Sequence, residues 1–249
     1  MATLTRSTRT GTGEESREAR QWMRLARIGA IVMVVWSVIL QVLAGLIPPV
    51  AVIGAVFLGF IPFLSGERRK LGLVYAALAA LAIGANLPPV IDELSNPESS
   101  PAFILTLLSV LGVTLAIVSG LGAFFRWSPS PIRRLAYGAG AVFVVGSVFS
   151  LALAAATPSD AARPGDVQVV AEGVMWMPEE LTVSESSGLW IDNRDGIRHT
   201  FTIAELGIDV EIPALRSKRI DIGAAPGTYQ IVCDVPGHES MTGTLIVEG

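Results

Sequence analysis

The stretch "TYQIVCDVPGHESMTGTLIVEG" (residues 228–249) places two β-like runs on either side of a short loop. That loop holds the only cysteine of the protein, Cys233, one of its two histidines, His238, and Met241. The other histidine, His199, begins a further β-like run. Because Cys233 ends one strand and a turn brings His238 back beside it, the pattern predicts that these side chains meet at the ends of neighbouring strands.

Around this stretch, residues 167–249 alternate short β-like runs with turn sequences such as "ESSG", "NRDG" and "AAPG". Several strands at such spacing predict an antiparallel sandwich or a small barrel. The preceding "TPSDAARPGD" (157–166) has no periodicity and predicts a linker. The predicted strands are "VQVVAE" (167–172), "LTV" (181–183), "LWIDN" (189–193), "HTFTI" (199–203), "KRIDI" (218–222), "TYQIVC" (228–233) and "TLIV" (244–247).

The residue types in the loop, together with His199, point to a metal centre. Two imidazoles, a thiolate and a weak thioether are the ligand set of a blue-copper site. A Cys/His2 set also binds zinc, but copper binds such sites more tightly among the divalent ions, and the thioether favours it further. The sequence therefore predicts one copper ion bound by His199, Cys233, His238 and Met241.

Residues 166–249 resemble the cupredoxin (plastocyanin/azurin) family in "MPEELTV", "WIDNRDGIRHTFTI" and the opening stretch. The resemblance implies a Greek-key β-sandwich that holds one type 1 copper, cycling between Cu(I) and Cu(II), and passes single electrons. It assigns the first histidine ligand to His199, the thiolate to Cys233, the second histidine to His238 and the axial position to Met241. It also makes the exposed edge of His238 the expected electron port.

One spacing departs from that family. Its loops commonly place three or four residues between the second histidine and the methionine, whereas this chain has only Glu239 and Ser240. The axial ligand is therefore Met241 with a shorter reach, a backbone carbonyl or a water. Met175 and Met177 are more distant alternatives.

We expect an electron-transfer or copper-binding protein and not an enzyme. The alternative to electron transfer is copper capture, storage or delivery with the same ligands. A multicopper oxidase or a copper nitrite reductase needs further histidine-rich sites, and a dinuclear copper centre needs a second cysteine. This chain has only two histidines and one cysteine, so the sequence supports none of these alternatives. Residues 160–249 carry 6 Lys and Arg against 15 Asp and Glu, which argues against nucleic acid as a partner. Trp176 and Trp190 are expected in the core.

The first part of the chain is strongly apolar, and 51% of the whole protein is hydrophobic. Long apolar runs of this kind indicate a membrane α-helical bundle. We predict a polar, disordered cytoplasmic tail over 1–26. The spans hold no histidine, so haem held by histidines within the membrane is excluded. The five predicted spans lie near 27–46, 49–64, 71–89, 102–125 and 133–156.

The basic residues of this part indicate its orientation. All 12 Lys and Arg of residues 1–159 lie in or beside the tail and the loops 65–70 and 126–134, whereas the turn at 47–49 and the loop 88–101 have none. The positive-inside rule places the tail in the cytoplasm, and an odd number of spans places residues 157–249 outside. We therefore predict a multi-pass protein of the cytoplasmic membrane whose partner is another redox protein or a membrane oxidase.

Overall fold

A computed structural model describes residues 10–44, 47–65 and 68–249. The described chain divides into two compact units. The first unit contains the described residues up to Leu87 together with Leu107–Val145. The second contains Pro88–Thr106 and Gly146–Gly249. The second unit thus combines the C-terminal domain with short pieces of the helical region.

The N-terminal region is helical. Its helices are α1 (Thr10–Ala44), α2 (Pro48–Phe60), α3 (Arg69–Gly84), α4 (Leu87–Ser95), α5 (Ser100–Phe125) and α6 (Ile132–Ala156). Three of its helices contain segments long and apolar enough to cross a membrane, namely Arg17–Leu43, α5 and α6. Helices α3 and α4 are bent by 65° and together would make a fourth. Helix α2 and the 3-10 turn after it form only a shorter apolar segment, so the described residues contain three candidate spans, or four if the bent pair is one span, and the predicted five spans stay a prediction.

Helix α1 corrects the predicted disorder of residues 1–26. It begins at Thr10, so the prediction is wrong for residues 10–26. Residues 1–9 lie outside the described residues. The arginines of this segment obscure an apolar stripe at every third or fourth position, which is the pattern of one buried helix face. Its members are Ala19, Trp22, Met23 and Ala26, each at most 4% exposed.

Small residues bring the helices of the first unit close together. A Cβ atom added at Gly72 in α3 would lie 2.8 Å from the carbonyl oxygen of Gly120 in α5. A Cβ atom at Gly122 would lie 2.6 Å from the ring of Trp22, whose indole N–H donates to the Trp127 carbonyl at 2.8 Å. Glycines at helix contacts allow this close approach of backbones.

The C-terminal domain is a sandwich of two β-sheets. Its strands are β1 (Val167–Ala171), β2 (Trp176–Met177), β3 (Glu180–Ser184), β4 (Gly188–Asn193), β5 (His199–Ile203), β6 (Ile208–Ile212), β7 (Ser217–Asp221), β8 (Gly227–Val232) and β9 (Thr242–Glu248). One sheet has the order β2-β1-β4-β7 and the other β3-β9-β8-β5-β6. Each predicted run forms a strand, whereas β2 and β6 were not predicted. Strand β2 has only two residues, and charged residues interrupt β6 ("IDVEI").

The sheets are mixed, which corrects the antiparallel prediction. Strands β1 and β4 pair in parallel, as do β3 and β9. Turn sequences indicate how consecutive strands connect, but they carry no information about which distant strands pair. The Greek-key order implied by the family resemblance stays a prediction. The core between the sheets includes the fully buried side chains of Val169, Leu189, Ile191, Phe201, Ile231 and Leu245.

The predicted linker, residues 157–166, has no helix or strand, but part of it is bound to the sandwich. The Asp160 N–H donates to the Ser217 carbonyl at 2.9 Å, and its carboxylate accepts the Arg219 N–H at 3.0 Å. The half-buried Trp190 donates its indole N–H to the Asp160 carbonyl at 2.7 Å. These bonds hold the segment along β7.

Candidate metal centre

The structure brings together three of the four predicted ligands. His199 begins β5, Cys233 directly follows β8, and His238 lies in the loop between β8 and β9. The Cys233 Sγ lies 3.8 Å from the Nδ1 of His199 and 3.6 Å from the Nδ1 of His238. One ligand atom from each residue lies within 4.8 Å of the other two. Both imidazoles therefore present the same ring nitrogen to one thiol.

This cluster is buried at one end of the sandwich core. His199 is 0% exposed, Cys233 4% and His238 8%. The ring of Trp176, as predicted a core residue, packs edge-on against His199 at a centroid distance of 6.1 Å and also against Phe201. Polar groups buried among apolar side chains need partners, and the three ligand side chains supply them to one another.

Two tight turns shape the ligand loop. The His238 N–H donates to the Val235 carbonyl at 3.0 Å, and Gly237 adopts the positive φ of 92° that this first turn requires. The Met241 N–H then donates to the His238 carbonyl at 2.8 Å, and the Met241 carbonyl accepts the Cys233 N–H at 3.1 Å. The second turn explains how so short a His–Met spacing still returns the methionine beside the cysteine.

The methionines differ in burial. Met241 is 1% exposed and belongs to the sandwich core. Met175 and Met177, the more distant alternatives, are 58% and 40% exposed. Because the histidines and the cysteine are buried, Met241 is the methionine whose surroundings match theirs.

The carboxylate of Asp195 orients the ring of His199 through its Nε2 atom. The Nε2 of His199 lies 2.9 Å from Oδ2 of Asp195, so this nitrogen donates to the carboxylate and leaves Nδ1 facing the thiol. Burial would lower the pKa of His199, but Asp195 and Cys233 raise it. Burial would raise the pKa of Asp195, but His199 and the N–H groups of Gly173 and Val174 lower it. Asp195 was not among the predicted site residues, because its only signal in the sequence is a carboxylate four residues before His199.

Asn193 holds the loop that carries this carboxylate. Its amide nitrogen lies 2.9–3.1 Å from the carbonyl oxygens of Ile197, Ile212 and Pro213. Its amide oxygen accepts the Asp195 N–H at 2.9 Å. The side chain is only 1% exposed, so one residue connects the end of β4, the Asp195 loop and the end of β6.

The surroundings of Cys233 lower the pKa of its thiol. Its sulfur accepts the N–H of Thr200 at 3.4 Å, and the Thr200 hydroxyl accepts the Asp234 N–H at 2.7 Å. Burial would raise the pKa of Cys233, but hydrogen bonds to the two histidines and to backbone N–H groups lower it to about 5. The side chain is then a thiolate at neutral pH, which is the form that binds metals.

The spacing of the three atoms fits a metal ion. A metal about 2.3 Å from a sulfur and about 2.0 Å from a nitrogen, with an angle of about 110–120° between the bonds, requires a sulfur–nitrogen separation of about 3.5–3.7 Å. The observed separation of 3.6 Å lies within this range, and that of 3.8 Å lies just above it. The donor set and its dimensions therefore suit copper without a rearrangement of the loop.

Comparison with known proteins defines the class of the C-terminal part. Residues 143–247 match the family described as the cupredoxin-like domain, so this part of the protein is a cupredoxin-like domain. No family was recognised for the N-terminal part, and no curated protein matches the sequence.

Several solved structures are similar to part of this chain. A reduced tryptophan-to-tyrosine mutant of amicyanin is 22% identical, with a TM-score of 0.31, and the match covers 35% of this chain and 86% of amicyanin. An oxidized methionine-to-leucine mutant of amicyanin is 18% identical, with a TM-score of 0.31, over 36% of this chain and 87% of that one. The copper-containing nitrite reductase of Thermus scotoductus is 19% identical, with a TM-score of 0.30, over 37% of this chain and 24% of the enzyme.

Proposed function

We propose that this protein is a membrane-anchored type 1 copper protein that transfers single electrons. The observation that carries the proposal is the convergence of two imidazole nitrogens and one thiolate in the buried end of a cupredoxin-like domain. His199, Cys233 and His238 would hold the metal, and Met241 would be the axial ligand. Copper bound there would supply the one-electron change between Cu(I) and Cu(II).

The residues around the ligands suit this task. The N–H of Thr200 stabilises the negative charge of the Cys233 sulfur, and Asp195 fixes the ring of His199. The apolar contacts of Trp176 and Phe201 exclude water from one side. Two packed sheets supply a rigid frame, which keeps the ligand positions similar in both oxidation states.

Electrons would enter and leave beside His238. It is the most exposed of the three clustered ligands, at 8%, whereas His199 is completely buried. A partner that docks over His238 would therefore come closer to the metal than one that docks elsewhere. The expected partner is another redox protein or a membrane oxidase.

Copper loading of the purified full chain tests the proposal. One equivalent of Cu(II) should produce an intense thiolate-to-copper band in the visible spectrum, and Cys233→Ser should abolish it. Met175→Leu is a matched control that removes an exposed thioether and should leave the band unchanged. If the wild type binds copper without the band, or if Cys233→Ser keeps it, the assignment is wrong.

The same sample separates electron transfer from copper delivery. An electron carrier keeps its metal through repeated oxidation and reduction, whereas a delivery protein releases it. The low exposure of His199, Cys233 and His238 favours retention. Loss of copper in each reduced phase would favour delivery instead.

We further infer the predicted membrane arrangement: five spans, a cytoplasmic N-terminus and a copper domain on the outer face of the cytoplasmic membrane. The one-sided distribution of Lys and Arg supports it. Reporters fused at residue 67 and at the C-terminus should score on opposite sides of the membrane. Scores on the same side would contradict the five-span arrangement.

A further inference from the structure

A segment from the helical region packs against the loop that carries Asp195 and His199. We call residues 92–102, which run from α4 into α5, the clamp segment. It belongs to the same compact unit as the cupredoxin-like domain. The Ala102 N–H donates to the Gly196 carbonyl at 3.2 Å, and a Cβ atom added at Gly196 would lie 3.3 Å from Pro101. The clamp segment thus contacts the loop backbone between Asp195 and His199.

An ion pair fixes the residue next to His199. The Nε of Arg198 donates to Oδ2 of Asp92 at 3.1 Å, and its Nη2 donates to the other carboxylate oxygen. The two side chains are 11% and 15% exposed, and they lie 106 residues apart in the sequence. Glu211 lies farther from the guanidinium, at 3.8 Å. A two-bond pair between Arg and a carboxylate fixes direction as well as distance, so Asp92 determines where the backbone before His199 lies.

The clamp segment is itself anchored in this unit. Ser99 is fully buried, and its hydroxyl accepts the N–H of Ala214 at 3.1 Å. The Pro97 carbonyl accepts the hydroxyl of Ser150, near the end of α6, at 2.6 Å. The segment therefore has fixed partners on both sides, as a support for the ligand loop requires.

We propose that Asp92 is a positioning residue of the candidate copper site, because through Arg198 it holds the Asn193–His199 loop and with it the ring of His199. This inference rests on the proposed function for its effect on copper, but the restraint on the loop is a property of the metal-free chain. Asn193 holds the loop from inside the sandwich, and Asp92 holds it from the side of the helical region.

Hydrogen exchange of the full-length, metal-free protein tests the restraint. Asp92→Ala should increase amide exchange over residues 193–199 by about tenfold, because the Arg198 guanidinium loses its nearest partner. Exchange in β8 and β9 should stay as in the wild type. If Asp92→Ala fails to fold, Asp92→Asn keeps the shape of the side chain and should give a smaller increase in the same residues.

A second ion pair of the same domain is the matched control. Arg219 binds Asp166 at 2.9 Å, with side chains 15% and 3% exposed. Asp166→Ala should leave exchange over residues 193–199 unchanged. The double variant Asp92→Arg, Arg198→Asp should restore most of the protection lost in Asp92→Ala. An unchanged rate in Asp92→Ala, an equal increase in Asp166→Ala, or no recovery in the double variant would overturn the proposal.

The copper-loaded protein gives the second readout. Asp92→Ala should still bind one copper ion, but its thiolate band and its copper hyperfine splitting should shift, and Asp166→Ala should shift neither. A shifted signal with unchanged exchange over residues 193–199 would overturn the restraint as its cause. A wild type that binds no copper would refute the proposed function, while the exchange result would still decide whether Asp92 holds the loop.

Discussion

Replacing Asn193 by alanine should loosen the whole ligand end of the cupredoxin-like domain. The buried amide supplies two N–H groups to the carbonyls of Ile197, Ile212 and Pro213 and one oxygen to the Asp195 N–H. Alanine supplies none of these, and the burial of the site leaves the four backbone groups without water as a substitute.

The magnitude follows from this count. The side chain provides three hydrogen-bonding groups, and each buried bond contributes about 1 kcal/mol net, so Asn193→Ala should cost about 3 kcal/mol. This is a large share of the roughly 5–15 kcal/mol by which domains are stable. Since about 1.4 kcal/mol corresponds to a factor of ten, the population of opened molecules should rise about 100-fold or more.

Cys233 provides the assay, because it is the only cysteine of the chain and is 4% exposed. A thiol reagent modifies it only when the domain opens, so the labelling rate of the metal-free full chain measures the opening equilibrium. Asn193→Ala should label about 100-fold faster than the wild type. Gln168→Ala, at an exposed position of β1, is the control and should label at nearly the wild-type rate. Equal rates for the two variants would refute the assigned role of Asn193.

Four further outcomes follow from the structure. Copper at 100 times its dissociation constant should slow Cys233 labelling about 100-fold, since only the folded site binds it, and an unchanged rate would argue against binding there. Met241→Gln should lower the reduction potential and Met241→Leu should raise it, measured by voltammetry; equal potentials would remove Met241 from the site. Asp195→Asn should raise the potential, because it removes a negative charge that favours Cu(II) while it keeps a hydrogen-bonding side chain; a lowered potential would contradict this. Gly120→Leu should lower the thermal stability of the helices in detergent, because a side chain there would collide with the Gly72 backbone. Gly140→Leu is the control, because its side chain would meet open space and should change the thermal stability little. Equal losses in the two variants would contradict the close contact between Gly72 and Gly120.

The strands and the ligand cluster could be predicted because their signals are local. Each predicted run was a short β-like segment between turn residues, and each forms a strand. The convergence of His199, Cys233 and His238 followed from rarity and from the adjacency of strand ends. The parallel pairs could not be predicted, because β1 and β4 meet only through the tertiary fold.

The residues that support the site, Asn193, Asp195 and Asp92, could not be predicted from the sequence for a different reason. Asn193 and Asp195 lie in "NRDG", a sequence that also describes an ordinary turn. Nothing local distinguishes a turn residue that faces water from one that is 1% exposed and hydrogen-bonded to two other segments. Asp92 is farther still from its partner in sequence. In the first helix, the average composition along the chain is polar, and the apolar stripe is visible only around the helix axis.

The two histidines of the cluster are held in different ways. His199 is completely buried, is bonded to Asp195 and follows Arg198, which the clamp segment holds. His238 depends on the two turns of its own loop and, at 8%, is the most exposed of the three clustered residues. Substitutions around His199 should therefore act through the orientation of the ligand and the stability of the domain. Substitutions around His238 should act through access to the site, because His238 is the most exposed of the three clustered residues.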